Sequence, residues 1–163
     1  MDVACYTLYM RPLHMTLLAL ALIGIGILLY KTAPTSRELS QTATFGGVVL
    51  RLDYATTKVA RELGLGGRDS VPDGYGMLFA FPKDAFYGFW MKDTLVPLDM
   101  FWLDSQGQVV WIAADVATST YPHVFYPSHP ARYVLETAAG FARMHHIVPG
   151  MPLLLKNFPI VSE

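Results

Sequence analysis

The sequence predicts an α+β fold: a strand-rich small domain, either an antiparallel sheet or a compact β-barrel with two short helices, after one N-terminal transmembrane helix. Short apolar and β-branched runs recur between turn signals over the C-terminal two thirds of the chain, as in small sheet proteins. Strands and helices do not alternate in a way that predicts β-α-β units, and no glycine-rich phosphate loop is present. A single uninterrupted apolar run near the N-terminus predicts the membrane helix.

Composition excludes several classes of protein. Hydrophobic residues make up 53% of the 163 positions and charged residues 15%, with a net charge of −1. A long disordered tail needs the opposite balance. A nucleic-acid binder that neutralises phosphates needs a cluster of basic residues, and none is present, so no nucleic-acid partner is expected. Because Cys5 is the only cysteine, there is no internal disulfide and no cysteine-based zinc site.

Residues 13–30 carry the apolar run and contain no Asp, Glu, Lys or Arg. Eighteen helical residues span about 27 Å, close to the roughly 30 Å hydrocarbon core of a bilayer. Tyr30 and Lys31 are typical interface anchors at its end. The alternative, a cleaved signal peptide, needs a small-residue cleavage site, whereas a bulky residue precedes Ala33 by three positions and Pro34 follows it. A retained anchor is therefore predicted.

The anchor divides the chain into a flank (1–12), the transmembrane segment (13–30), a small and polar tether (31–44) and one domain (45–163). In the domain, Thr56 or Thr57 can cap a short helix that Gly64 ends. The Asp-Ser-Gln-Gly sequence at 104–107 predicts a hairpin turn, and three prolines predict a long loop over 114–131. The expected strands are 48–52, 77–81, 88–92, 97–103, 108–113, 133–135 and 153–156, and the expected helices are 56–63 and 137–146.

Aromatic residues are concentrated between positions 75 and 102, where nine of the 28 residues are Phe, Tyr or Trp. Such residues favour strands and bury large areas, so the core of a small domain is the favoured interpretation. An outward-facing platform that stacks a flat ligand is the alternative, with Trp90 as the candidate stacking residue.

Two carboxylates lie inside predicted apolar strands and are therefore candidate functional residues. Asp99 and Glu136 each need a cation or several backbone donors if they are buried, because an unpaired buried charge costs several kcal/mol. With Arg68 and Lys92 they form a candidate polar cluster, which could be an acid/base pair, an anion site or structural ion pairs. Convergence on an open pocket of roughly 300 Å³ would favour a ligand, whereas sealed and paired carboxylates would be determinants of the fold.

The histidines do not predict a metal site, and no metal or cofactor is expected. His145 and His146 are adjacent, so on a helix they diverge by about 100°. His123 and His129 lie in the proline-rich loop without acidic or cysteine neighbours at ligand spacing. The G-x-S-x-G signature of a serine nucleophile is also missing.

Several short motifs follow one another along the domain. They are 64–68 (GLGGR), 76–81 (GMLFAF), 89–94 (FWMKDT), 97–99 (PLD), the 104–107 turn, 133–136 (YVLE) and Gly140. In order and spacing they resemble the domain of unknown function 192 (DUF192) family, an uncharacterised conserved membrane-protein family. The resemblance covers about residues 48–155. It implies a compact strand-rich fold, frequently behind a signal or anchor and outside the cytoplasm, and it supplies no reaction. The family's recurrent residues map to Arg68, Trp90, Lys92, Asp99 and Glu136.

The functional hypothesis is a membrane-anchored extracytoplasmic domain that binds a small molecule, a glycan or a protein partner. The alternative is an envelope-associated hydrolase that uses Asp99 or Glu136 as its general base.

Overall fold

The computed structural model describes residues 41–161, and strands dominate this part of the chain. Two short α-helices and a turn of 3-10 helix at Thr118–Thr120 complete it. The strands are β1 (Gln41–Phe45), β2 (Val48–Ala55), β3 (Tyr75–Ala85), β4 (Leu98–Leu103), β5 (Val109–Val116), β6 (Ala131–Ala138) and β7 (Leu154–Leu155), and the helices are α1 (Lys58–Leu63) and α2 (Phe141–Met144). The predicted strand-rich class with two short helices is confirmed for these residues.

All seven strands belong to one sheet with the order β5-β4-β6-β3-β2-β1-β7. Neighbouring strands are antiparallel except β2 and β3, which are parallel. A parallel pair needs a long crossover, and residues 56–74, which include α1, provide it. The expectation that no β-α-β unit is present is wrong: the helix was predicted, but the sequence does not show that the strands on its two sides pair with each other in parallel.

The sheet curls toward closure and forms a half-barrel. The amide of Val109, at the start of β5, donates to the carbonyl of Met151 over 2.9 Å, and the amide of Gly150 donates to the carbonyl of Val109 over 2.7 Å. Leu153 donates to Gly107 over 2.9 Å. Since these residues immediately precede β7, the bonds bring the two edges of the sheet together at one end. Backbone groups that an open sheet would leave unpaired are thereby satisfied.

Both faces of the sheet are buried, and each has its own core. Side chains alternate along a strand, so Leu78 points to one face and Phe79 to the other. On the first, which we call the α2 face, Phe141 of α2 packs against Phe45 and Phe101 with ring centroids 6.0 and 6.2 Å away. Because β4 is covered on both sides, all six of its residues are buried.

The second face, which we call the cavity face, carries Phe79, Met100, Trp102 and Glu136. Helix α1, the residues after it and the segment 86–97 between β3 and β4 lie over this face. The candidate site described below is formed between these coverings and the sheet.

Three local expectations are wrong. Strand β1 begins at Gln41, so it occupies part of the segment expected to be tether. Residues 88–92 form no strand and make only an isolated bridge between Phe89 and Phe125, because their apolar side chains cover the cavity face rather than extend the sheet. The helix expected over 137–146 is reduced to α2, since Thr137 continues β6 and is fully buried there.

The predicted transmembrane segment, residues 13–30, lies outside the described residues. Among residues 41–161, no helix has the length and apolar character that a bilayer crossing requires.

Candidate functional site

The candidate residues Asp99 and Glu136 point to opposite faces of the sheet. Asp99 of β4 is in register with Thr137 of β6, and Glu136 is in register with Met100. Directly paired residues share a face and successive residues alternate, so Asp99 lies on the α2 face and Glu136 on the cavity face. The four polar residues of the sequence hypothesis therefore do not meet in one cluster.

Asp99 is fully buried and accepts three backbone hydrogen bonds. Its Oδ1 accepts from the amides of Asp115 (2.7 Å) and Gly140 (3.2 Å), and its Oδ2 accepts from the amide of Ala142 (2.7 Å). Ala142 lies in the first turn of α2, so the carboxylate satisfies amides that the helix leaves free at its start. Of the two environments expected for this residue, several backbone donors or a cation, the structure has the first. Asp99 is a determinant of the fold.

Arg68 belongs to a small network at the edge of the cavity face. Its Nη2 lies 3.4 Å from Oδ2 of Asp53, and its guanidinium lies over the ring of Tyr75, 5.1 Å from the centroid. The hydroxyl of Tyr75 donates to the same carboxylate oxygen over 2.7 Å. Burial and this hydrogen bond raise the pKa of Tyr75. Arg68 thus has a structural partner in Asp53, which sequence reasoning did not identify, and it does not line the cavity.

A cavity of about 250 Å³ opens on the cavity face between α1 and the segment 88–94. Of the sequence candidates, Trp90, Lys92 and Glu136 line it, whereas Arg68 and Asp99 do not. Its walls include the aromatic rings of Phe79, Phe81 and Phe89. The volume lies just below the range of about 300–1,000 Å³ typical of sites for drug-sized ligands, so the cavity suits a smaller molecule.

One wall is α1, which is held in place by its own side chains. The amide of Ala60 donates to Oγ1 of the N-cap residue Thr57 over 3.1 Å. Arg61 donates to the carbonyls of Thr56 (2.7 Å) and Ala80 (3.0 Å) and stacks over the ring of Phe81 at 5.1 Å. Arg61 therefore ties the helix to β3, a role that its position on a short charged helix did not signal.

The opposite wall is the segment that carries Trp90 and Lys92. Phe89 exchanges two backbone hydrogen bonds with Phe125, of 2.9 and 2.8 Å, and its ring packs edge-on against Phe79 at 4.9 Å. The amide of Gly67 donates to the carbonyl of Asp93 over 2.8 Å, which joins this segment to the loop after α1. Both walls are thus fixed by backbone pairing and ring packing.

Glu136 is the polar group at the base of the cavity, with 4% of its surface exposed. Within residues 41–161 its carboxyl group makes no hydrogen bond and no ion pair. Burial therefore acts unopposed and raises the pKa of Glu136 to about 8. At neutral pH most molecules carry a protonated carboxylic acid here, which can donate a hydrogen bond or ionise when a cation approaches.

The exposed residues that line the cavity differ in how far other residues already engage them. Lys58 lies 3.8 Å from Glu62 in an exposed pair, which contributes little to stability. Lys92 makes no ion pair within residues 41–161. The ring of Trp90, half exposed, contacts no other ring or cation in the same part of the chain. Lys92 and Trp90 are therefore available to a bound molecule.

The same range of residues brings no three His, Cys, Asp or Glu side chains together in a group that could hold a metal ion. The site is thus defined by a small, strand-rich half-barrel, aromatic walls and one buried carboxyl group.

The DUF192 family, described as an uncharacterized ACR, matches residues 41–155, and the chain belongs to this family. The resemblance predicted from the sequence motifs is confirmed. No curated protein matches the chain.

Two solved structures share the fold. One is a protein from Novosphingobium aromaticivorans DSM 12444 described as of unknown function, with 29% identity and a TM-score of 0.64 over 74% of this chain and 88% of that one. The other, from Sinorhizobium meliloti 1021, is described as a candidate transcription regulator, with 30% identity and a TM-score of 0.63 over 69% of this chain and 88% of that one.

Proposed function

We propose that this DUF192 domain is a binding module that takes a small molecule into the cavity on its cavity face, with Glu136 as the polar anchor of the ligand. Trp90 and Lys92, which line the same cavity, contact the ligand. The observation that carries the proposal is the carboxyl group of Glu136, which is buried beside a cavity and has no partner within residues 41–161.

A carboxyl group that is largely removed from water and has no protein partner destabilises the folded protein when it is ionised. Asp99, in the same sheet, is also buried but has three donors, so this fold supplies partners where the carboxylate is structural. A ligand with a complementary group would remove the cost at Glu136, which makes the unpartnered carboxyl a source of affinity and specificity.

An envelope-associated hydrolase is the alternative function. The raised pKa of Glu136 suits a general acid, which must hold its proton at neutral pH, better than a general base. Both oxygens of Asp99 accept amide hydrogens, so neither is open to a substrate. Neither Ser nor Cys occurs among the residues that line the cavity. Binding is therefore the better supported function.

We also propose that residues 13–30 anchor the chain in a membrane and that the domain lies on its extracytoplasmic side. The support is the length of the uncharged run and the anchoring pair Tyr30 and Lys31. A fusion of alkaline phosphatase after Glu163, which is active only outside the cytoplasm, is expected to be active. Activity confined to a cytoplasm-dependent reporter fused at the same point would contradict this placement.

The binding function is tested with the full-length protein and a panel of small molecules that includes cations, neutral compounds and anions, using ligand-observed NMR. We expect one chemical class to bind. Replacing Trp90 with alanine is expected to weaken its binding about 5- to 30-fold, the equivalent of 1–2 kcal/mol for a lost aromatic contact.

Phe86→Ala is the matched control, because Phe86 is a half-exposed aromatic residue of the same segment that does not line the cavity. This variant should bind like the wild type. Absence of binding across all three classes, or binding that Trp90→Ala and Phe86→Ala weaken equally, would contradict the proposed function.

A further inference from the structure

We infer that the ligand is a small zwitterion, whose alkylated ammonium group lies against Glu136 and Trp90 and whose anionic group faces Lys92. The inference rests on the proposed function and names the chemical class that the same cavity selects.

The inner part of the cavity offers electron-rich groups. Glu136 contributes a carboxyl group, and the walls contribute the rings of Phe79 and Phe89. Two side-chain donors in the lining are already engaged: Arg61 donates to two backbone carbonyls and Thr94 donates to the carbonyl of Lys92 over 3.2 Å. Carboxylates and aromatic faces both attract cations, so the chemistry at this end favours a positive group.

The ring of Trp90 is the best placed aromatic group for such a cation. Phe81 is already stacked on Tyr87, with centroids 3.6 Å apart, and has Arg61 over its ring. Trp90 has no such neighbour within residues 41–161, and it lines the same cavity as Glu136. Tryptophan gives the strongest cation–π attraction of the aromatic residues.

The number of acceptors distinguishes an alkylated ammonium group from a primary one. A primary ammonium group has three N–H donors, and Glu136 is the only carboxyl group at the base of the cavity among the described residues. A primary group would leave donors unsatisfied in an apolar site, at a cost of about 1–3 kcal/mol each. A group with alkyl substituents has few or no donors, and its carbon atoms pack on the aromatic walls.

The mouth has the opposite polarity. Lys92 is exposed there and makes no ion pair within residues 41–161, so an anionic end of the ligand finds a cation at the entrance. A molecule with the positive group inside and the negative group outside matches both ends of the site.

The test measures the binding of three probes to the full-length protein by isothermal titration calorimetry, in a maltoside detergent because its headgroup is uncharged. The probes are choline, its neutral carbon isostere 3,3-dimethylbutan-1-ol, and phosphocholine. At pH 8 we expect choline to bind at least tenfold more tightly than the isostere. Glu136→Gln should reduce this preference severalfold and leave the part that comes from the aromatic rings. Asp53→Asn also replaces a carboxylate by an amide, on a strand that pairs with β3 as Glu136's strand does, and it should leave the preference unchanged.

The pH dependence provides an independent readout. A cation binds the ionised form of Glu136, so its affinity should rise with pH, by about tenfold for each unit below the pKa of about 8, and level off above it. Phosphocholine should bind more tightly than choline to the wild type, and Lys92→Met should remove that gain.

Each contrary result has a defined meaning. If the neutral isostere binds as tightly as choline or more tightly, the ammonium assignment is overturned. The binding function still stands in that case, provided that Trp90→Ala weakens the binding. Phosphocholine that binds no more tightly than choline would overturn the zwitterion. A panel in which no probe of any charge binds would contradict the proposed function itself.

Discussion

Replacing Asp99 with asparagine is expected to lower the free energy of unfolding by about 3 kcal/mol, which is roughly 10 °C in the melting temperature for a domain of this size. The amide of asparagine keeps one oxygen acceptor and puts an NH₂ group in place of the other. That group must face either the amide of Ala142 or the amides of Asp115 and Gly140, and it can accept from neither side. The effect is measured by thermal unfolding of the full-length protein.

Asp104→Asn is the matched control for this prediction. Asp104 also accepts two backbone hydrogen bonds, from the amides of Gln106 and Gln108 at 2.9 Å each, but it does so in an exposed turn. Both bonds go to Oδ1, which the asparagine side-chain oxygen can replace, and the turn is open to water, so we expect a loss below about 1 kcal/mol. Equal effects at the two positions would show that Asp99 is not the buried structural carboxylate described above.

Replacing Glu136 with glutamine is expected to make the protein more stable than the wild type at high pH and about equally stable at low pH. The pKa of Glu136 is raised from 4.5 to about 8 in the folded protein. Between these values the folded state holds a proton that the unfolded state has released, so the stability of the wild type falls as pH rises. The penalty is absent below pH 4.5, grows by up to about 1.4 kcal/mol per pH unit and is complete above pH 8.

Over the whole window the difference between Glu136→Gln and the wild type amounts to roughly 5 kcal/mol. Urea unfolding of both proteins at several pH values from 4.5 to 9 measures it. Asp53→Asn serves as the control, since Asp53 has Arg68 and Tyr75 as partners and removing its charge relieves no penalty. A difference between Glu136→Gln and the wild type that stays constant with pH would refute the prediction.

The two predictions describe opposite roles for two carboxyl groups of one sheet. Asp99 is paired by the chain itself, and its loss destabilises the domain. Glu136 has no partner within residues 41–161, and its neutralisation stabilises the domain at neutral to high pH. A group beside a cavity that lowers the free energy of unfolding is typical of binding sites. The bound ligand then stabilises the folded protein by interacting with that group.

Much of this fold could be predicted from the sequence because local signals were strong. Thr57 and Gly64 cap α1 as the residue types suggest, and the Asp104 side chain closes the predicted hairpin turn. The extent of β6 was harder to predict. Thr137 resembles the start of a helix in sequence, but pairing with Asp99 and Gly76 on the two neighbouring strands extends the sheet through it.

The candidate site was predictable only in part, because its geometry depends on register. The sequence predicted that Asp99 and Glu136 stand inside apolar strands and need partners if they are buried. Only the pairing of β4 with β6 decides that the two side chains point to opposite faces. Arg61 and Asp53 were missed because the sequence around a charged residue gives no signal of the partner that it finds in the folded chain.

The ionisation of Glu136 in the ligand-free protein shows whether this carboxyl group is buried without a partner. Carbon-13 NMR of the side-chain carboxyl carbon, assigned by its disappearance in Glu136→Gln, follows the titration of this single group. We expect a midpoint near pH 8, because the carboxyl group is buried and has no partner within residues 41–161. A midpoint at or below 4.5, the ordinary value, would show that the group is solvated or paired, and it would contradict the assignment of Glu136 as the anchor of a ligand site.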